Sequence, residues 1–315
     1  MLFCHLLPFF SLLWYDHYRL YMYICEKMMS KWLFWDPDRV AFTLPVLNRP
    51  IVWYGILFAM GFFIGFYIFQ YFFKRFLLYY PQFVTGKNLK ERTKIFSERL
   101  MIYMIISTII GARLGHIFFY ENWSYYCCHP LEIIKIWEGG LASHGAVIGI
   151  FIGIIPFYYR SRKEFPMITI PRIFDFIIIP ALLIGVFIRI GNFINQEVLG
   201  IVTTVPWAVV FGHPIDGTMP LPRHPAQLYE AFFYLCAFFL FWHVFPKMIR
   251  YPGRLSGLFF TLIFTFRFCI EFIKEEQSVF FSHQFLTMGQ LLSLPMICLG
   301  IGLCSIHFFK RHQRN

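Results

Sequence analysis

The chain has 315 residues, 58% of them hydrophobic and only 14% charged, with 42 Phe and a formal net charge of +11. Soluble globular chains carry about 25% charged residues, so this composition belongs to a polytopic membrane protein rather than a soluble enzyme. The positive charge does not mark a nucleic-acid binder, because the basic residues cluster between apolar segments as membrane topology demands.

In chain order, residues 1–50 read as an N-terminal extracytoplasmic segment. Its first run, Met1–Trp14, is too short to cross a bilayer and lacks a basic leader, so no signal peptide is expected. Met28 and Met29 are alternative starts that the sequence does not separate. Residues 51–309 then carry seven stretches of the length a crossing helix needs, ~17–25 residues. They are Ile51–Phe73, Leu100–Tyr120, Leu141–Tyr159, Ile168–Ile190, Leu228–Phe245, Leu255–Ile273 and Leu286–Phe309, followed by a basic tail at 310–315. The expected fold is all-α, a seven-span transmembrane bundle. The stretch 200–226, rich in Pro and Gly, reads as an ordered surface cap rather than another crossing.

Charge orients the bundle. Segments 74–99, 160–163, 247–254 and 310–315 carry sixteen Lys and Arg, whereas 121–140, 195–227 and 274–285 carry Lys135, Arg223 and Lys274 alone. The basic side faces the cytoplasm, which puts the N-terminus outside and the C-terminus inside. Small residues four apart, Gly61 and Gly65, Gly111 and Gly115, then Gly145, Gly149 and Gly153, favour close helix crossings. The eight cysteines show no CxxC spacing and no metal-ligand pattern, and they read as small hydrophobes.

Three arginines, Arg113, Arg189 and Arg267, fall inside the outer halves of these spans. A guanidinium near the bilayer core costs at least ~2.5–3.5 kcal/mol, so three of them imply a shared polar environment. The orientation sets Tyr54, Arg113, His116, Tyr120, Ser143, His144, Arg189, Asn192, Asn195, Glu197, Arg267 and Glu271 at the outer ends of their helices, with Arg223, His224, Gln227, Tyr229 and Glu230 at the outer start of the fifth span. The inner halves read as almost purely apolar. Each residue has a plain structural alternative. Arg267 and Glu271 are spaced for an intrahelical ion pair. Asn192 and Asn195 suit interhelical hydrogen bonds. His144 suits a helix start, Arg113 can snorkel to lipid phosphates, and Tyr54 and Tyr120 suit the interfacial aromatic belt. Their convergence at one depth favours a cationic site for an anionic head group instead.

At these residues the chain resembles the prolipoprotein diacylglyceryl transferase family. The stretch RIGNFINQEVLG (189–200) resembles the family signature. WYG (53–55), GARLGHIFFY (111–120), SHGAVIG (143–149), LPRHPAQLYEA (221–231), FRFCIEF (266–272) and MGQLLSLPM (288–296) follow the same order, so the likeness spans about residues 45–310. Ala146 stands where the family usually has a second glycine, the loop between the fourth and fifth spans is short for the family, and the first ~40 residues have no evident counterpart.

The resemblance implies transfer of diacylglyceryl from phosphatidylglycerol to the lipobox cysteine of a prolipoprotein at the outer face of the bacterial inner membrane, with release of glycerol 1-phosphate. It implies that Arg189 and Arg267 clamp the lipid phosphate, with Arg113 a further phosphate contact. His144 is implied either as base for the thiol or as orienter of the head group. Tyr54, Asn192, Asn195, Glu197 and Gly200 would bind substrate or set Arg189, and Glu271 would steer Arg267. No metal or other cofactor is implied. An anion transporter is the first rival, but no inverted repeat or midplane site is visible. A noncatalytic binder of anionic membrane lipid is the second, and it leaves His144 and the ordered signature unexplained.

Overall fold

A computed structural model describes residues 31–45, 49–83, 88–121, 123–135, 140, 142–275 and 286–312. Eight α-helices occur among them: α1 (Trp53–Leu77), α2 (Leu89–Tyr120), α3 (Trp123–Cys128), α4 (Ser143–Ser161), α5 (Ile170–Asn195), α6 (Ala226–Met248), α7 (Arg254–Ile270) and α8 (Met288–His312). Six are long and apolar enough to cross a membrane. The chain is therefore a multi-pass membrane protein built as a helical bundle. The remaining expected span, α4, holds a shorter apolar helix over Gly145–Ser161. Short strands add to the all-α expectation: β1 (Leu33–Trp35), β2 (Val40–Leu44), β3 (Arg49–Val52), β4 (Val209–Phe211) and β5 (Pro222–Arg223).

Helix α2 begins at Leu89, well before the expected Leu100. Its first turns carry too many charges to look membrane-spanning, yet they are amphipathic. Thr93, Phe96, Ser97 and Leu100 are buried at helical spacing while Lys90, Glu91, Lys94 and Ile95 are exposed.

The chain forms two compact units, residues 1–60, 185–235 and 265–294 in one and 61–184, 236–264 and 295–315 in the other. The second unit is packed with aromatic rings. Phe73 stacks on Phe96 with centroids 4.0 Å apart, and Phe72, Phe76, Phe157, Phe165, Phe176, Phe241 and Phe245 are fully buried around them. In the same unit α2 and α4 cross on glycine. A Cβ added to Gly145 would fall on the Gly111 carbonyl oxygen and 2.7 Å from the Gly115 Cα. Backbones this close need hydrogen in place of side chains. Ala146, where the family usually has a second glycine, is partly exposed.

The expectation that the inner halves are almost purely apolar is corrected by Asp175 and Arg172. Asp175 is fully buried and accepts hydrogen bonds from the Gly253 amide at 2.6 Å, the Ser256 amide at 2.8 Å and the Ser256 hydroxyl at 2.7 Å. It caps α7 from a neighbouring helix, satisfying amides that the helix itself leaves open. Arg172 donates to the Ile249 carbonyl at 2.6 Å and lies over the Phe76 ring.

The first unit holds the strands. β1 runs parallel to β4, which pairs antiparallel with β5, and β2 pairs antiparallel with β3. The stretch 200–226 thus carries β4 and β5 and no long helix, as an ordered cap requires. Trp35 of β1 stacks on Phe193 at 4.7 Å and donates its indole N–H to the Phe193 carbonyl at 3.0 Å. Phe193, Leu199, Val209 and Phe211 are buried beneath it. The N-terminal segment is thereby seated on the end of α5.

Candidate functional site

The polar residues of the first unit converge on Arg189, nearly two turns from the end of α5. Its side chain is 14% exposed, and its Nε lies 3.0 Å from Glu230 Oε2 on α6, a carboxylate with no exposure at all. Neither oxygen of Glu230 receives an aligned hydrogen bond among the described residues, so the attraction is ionic. One turn along α6, the Tyr234 phenol lies close enough to interact with the same guanidinium. Tyr234 packs against Gly185, where an added Cβ would stand 3.0 Å from the ring. Residues 230 and 234 share one face of α6, so a single helix face grips Arg189.

The other side of Arg189 is set by its own helix end. Arg189 donates to Asn192 Oδ1 at 3.1 Å, and Asn192 Nδ2 donates to Glu197 Oε1 at 2.7 Å. Asn195 Nδ2 donates to the same Glu197 oxygen at 3.3 Å. The chain therefore links guanidinium, amide and carboxylate in series. Glu197 sits there because the backbone turns sharply: Gln196 and Val198 have φ of 56° and 59°, the left-handed region that side chains other than glycine disfavour. The turn is closed by the Glu197 amide donating to the Asn192 carbonyl at 3.0 Å and by Gln227 Nε2 donating to the Glu197 carbonyl at 2.8 Å. Tyr54 packs on Gly191, where a Cβ would meet its ring at 2.7 Å, and its hydroxyl lies in the field of Glu197 and Arg189.

Arg267 is half-buried on α7. The expected ion pair with Glu271 is not formed. α7 ends at Ile270 and tightens into a 3-10 turn at Glu271–Ile273, which breaks the α-helical spacing that would align positions 267 and 271. Glu271 pairs instead with Lys274 at 3.6 Å, and Lys274 also faces Glu230 at 3.9 Å. Gly289 makes room for the Glu271 carboxylate, since a Cβ there would fall on it. Burial pulls the Lys274 ammonium below its ordinary range, against the opposite pull of Glu230 and Glu271. Nearby, Arg223 pairs with Glu275. Every cation of the cluster except Arg267 has a carboxylate; among the described residues Arg267 has neither ion pair nor hydrogen bond.

Gly200 offers no side chain, and its role is space. It is buried, a Cβ there would stand 2.6 Å from His224 Cβ and 3.0 Å from the Ile273 carbonyl oxygen, and its own carbonyl accepts from Arg223 at 3.3 Å. Arg113 and His144 belong to the other unit. Expected as a phosphate contact, Arg113 directs its guanidinium at main-chain carbonyls: Ile133 at 2.9 Å, Glu132 at 2.6 Å and Gly140 at 3.3 Å. It clasps the loop after α3. His144 is the second residue of α4, and its side chain, like those of Tyr120 and Ser143, lies outside the described residues.

Tyr234 and Lys274 were not among the expected residues, and Glu230 was expected at the outer end of its span without a role at the site. Glu230 and Tyr234 carry a signal in retrospect, a polar pair one turn apart in an otherwise apolar helix. Lys274 resembles any loop cation until the structure buries it. Among the described residues no group of three or more His, Cys, Asp or Glu side chains could hold a metal ion.

Residues 39–306 match the family described as prolipoprotein diacylglyceryl transferase. A phosphatidylglycerol–prolipoprotein diacylglyceryl transferase of Chloroherpeton thalassium is 40% identical, over 86% of this chain and 93% of its own length. A protein of the same name from Protochlamydia amoebophila is 36% identical, over 86% and 94% of the two chains. One from Chlamydia pneumoniae is 32% identical, over 89% and 98%.

Proposed function

The chain belongs to the prolipoprotein diacylglyceryl transferase family and is a transferase of lipoprotein biosynthesis, and we propose how its residues carry the reaction. The substrates are phosphatidylglycerol and a prolipoprotein whose lipobox cysteine accepts the lipid, at the outer face of the inner membrane. The cysteine sulfur attacks the glyceryl carbon bound to phosphate. A C–S bond forms, the C–O bond breaks with its electron pair on oxygen, glycerol 1-phosphate leaves, and the thiol proton passes to a base.

Two barriers define what the protein supplies. A thiol with an ordinary pKa of about 8.5 is mostly protonated at neutral pH, and the phosphate leaves only once its gathering charge is met. Arg267 carries the second task. A half-buried guanidinium with neither ion pair nor hydrogen bond among the described residues offers its donors to an incoming anion. Arg189 is the second arm, its Nε and one terminal nitrogen held by Glu230 and Asn192 so that the rest of the fork has one orientation. Tyr54, Asn192, Asn195 and Glu197 fix that orientation and meet the glycerol hydroxyls. Glu271 acts on the site through Lys274. His144, carried over from the family pattern, takes the thiol proton or orients the head group, and His144→Gln separates the two. A base shifts the pH–rate profile when lost, whereas an orienter raises KM with the profile unchanged.

The test is an assay with phosphatidylglycerol vesicles and a lipobox peptide, comparing wild type with Arg189→Ala and Arg267→Ala. Glycerol phosphate release with a thioether-linked lipid on the peptide, reduced ~10²–10³-fold by either substitution, is the expected result. Full activity in both variants removes the clamp.

A further inference from the structure

We propose that Asp36 is a positioning residue for this transfer: with Gln196 and His213 it locks the left-handed turn that presents Glu197 to Asn192 and Asn195, and through them sets Arg189. The inference rests on the role assigned to Arg189 above. It joins the N-terminal segment, which the mechanism does not otherwise use, to the chemistry.

The lock is complete at every polar atom. Gln196 is 1% exposed. Its Nε2 donates to Asp36 Oδ1 at 2.9 Å, its Oε1 accepts from the His213 amide at 2.7 Å, and its carbonyl accepts from the Ile215 amide at 3.1 Å. Both Asp36 oxygens lie 2.8 Å from His213 Nδ1. Arg39 donates to the His213 carbonyl, so Arg39 and His213 are the charged or titratable groups facing Asp36. Gly212 is bare where the carboxylate passes, and a Cβ there would stand 2.6 Å from Asp36 Cγ. β1 delivers Asp36 to this spot, since Trp35 is paired with Phe211 in register and the Gly212 amide donates to the Trp35 carbonyl at 3.0 Å.

A left-handed Gln and a left-handed, β-branched Val flank Glu197 on both sides. Such residues persist only where their surroundings over-determine them. Asp36 supplies that determination at Gln196. Released, the backbone can relax, and Glu197 then moves off the two asparagine amides that tie it to Arg189. A small misplacement of a catalytic group costs rate far more than it costs binding.

Full-length protein in phosphatidylglycerol vesicles with a lipobox peptide tests this directly. Asp36→Ala is expected to lower kcat tenfold or more while KM for the lipid changes less than about twofold. Asp36→Asn, which keeps the acceptor for Gln196, is expected to recover kcat to within about threefold of wild type. Gln196→Gly, which adopts the left-handed turn freely but has no side chain to lock, is likewise expected to lower kcat tenfold or more, and it carries the test if Asp36→Ala does not fold. Wild-type kcat in Asp36→Ala or Gln196→Gly overturns the lock, as does an Asn variant that folds yet is as slow as the Ala variant. Wild type without product, or Arg189→Ala at full rate, refutes the proposed reaction or clamp instead.

Discussion

Arg267 shows how a single residue can be legible in kind and illegible in contact. Its place within an apolar stretch marked it as costly, and cost pointed to function. Its expected partner was wrong, because the i,i+4 rule presumes an α-helix that continues and this one tightens at Glu271. The outcome fits the proposed role, since among the described residues no ion pair or hydrogen bond competes for its guanidinium. At Arg189 geometry matters as well as charge. Arg189→Lys keeps the charge but replaces a fork held on two sides with a single point donor, and kcat should fall at least ~10²-fold in the vesicle assay. A near-normal rate would mean that the charge alone suffices. Asp36 makes a different prediction. The hydrogen bond from His213, then that from Gln196, hold its carboxyl below the usual range, with burial opposing. Its folded value is lower than its unfolded one, so its contribution to stability is full above about pH 4 and drains as pH falls through the folded value. Thermal unfolding between about pH 6 and about pH 3 should therefore show a shallower acid-side loss for Asp36→Asn than for wild type. Equal slopes would show that the carboxylate is not linked to folding.

At the scale of elements, composition and periodicity found the helices but blurred their ends. The first turns of α2 were missed because hydropathy averages over charged residues that a helix sorts onto one face. The glycines of α2 and α4 were legible as close-packing residues, and the structure sets them against one another. Gly145→Ala places a methyl on a neighbouring carbonyl oxygen rather than on a yielding side chain. Overpacking of this kind typically costs ~1–3 kcal/mol, and a lowered Tm in detergent, with Ala146→Gly near wild type, is the expected pattern. Equal Tm values for all three proteins would show that the crossing has slack. The left-handed turn at Gln196 and Val198 had no local signal, since neither residue type favours that conformation and only distant partners impose it.

For the whole molecule, charge asymmetry between loops predicts an orientation that chemistry can check. Cys127 and Cys128 are exposed free thiols in α3, on the side expected to face outward. In intact cells, in a chain whose other six cysteines are replaced by serine, a membrane-impermeant maleimide should label them, and Cys127→Ser with Cys128→Ser should abolish that labelling. A cysteine placed at Arg162, next to the basic stretch after α4, should react only after the membrane is opened. The reverse pattern would invert the topology and put the cationic cluster on the cytoplasmic side. Labelling suits the question because it reads the exposed loops and not the lipid-facing helices.

The sequence by itself determined that this is a multi-pass helical membrane protein, which family it belongs to, and that Arg189, Asn192, Asn195 and Glu197 lie together at one helix end. Hydropathy, loop charge and an unbroken twelve-residue motif are local quantities, readable without knowing which helices meet. Only the tertiary structure decided that Glu230 and Tyr234 lie against Arg189, that Arg267 has no ion pair among the described residues, that Arg113 clasps a loop, and that Asp36 reaches Gln196. Each of those contacts joins residues from different elements or turns on how one helix ends. An ion pair or hydrogen bond depends on distances of a few ångströms, and only packing brings such atoms that near.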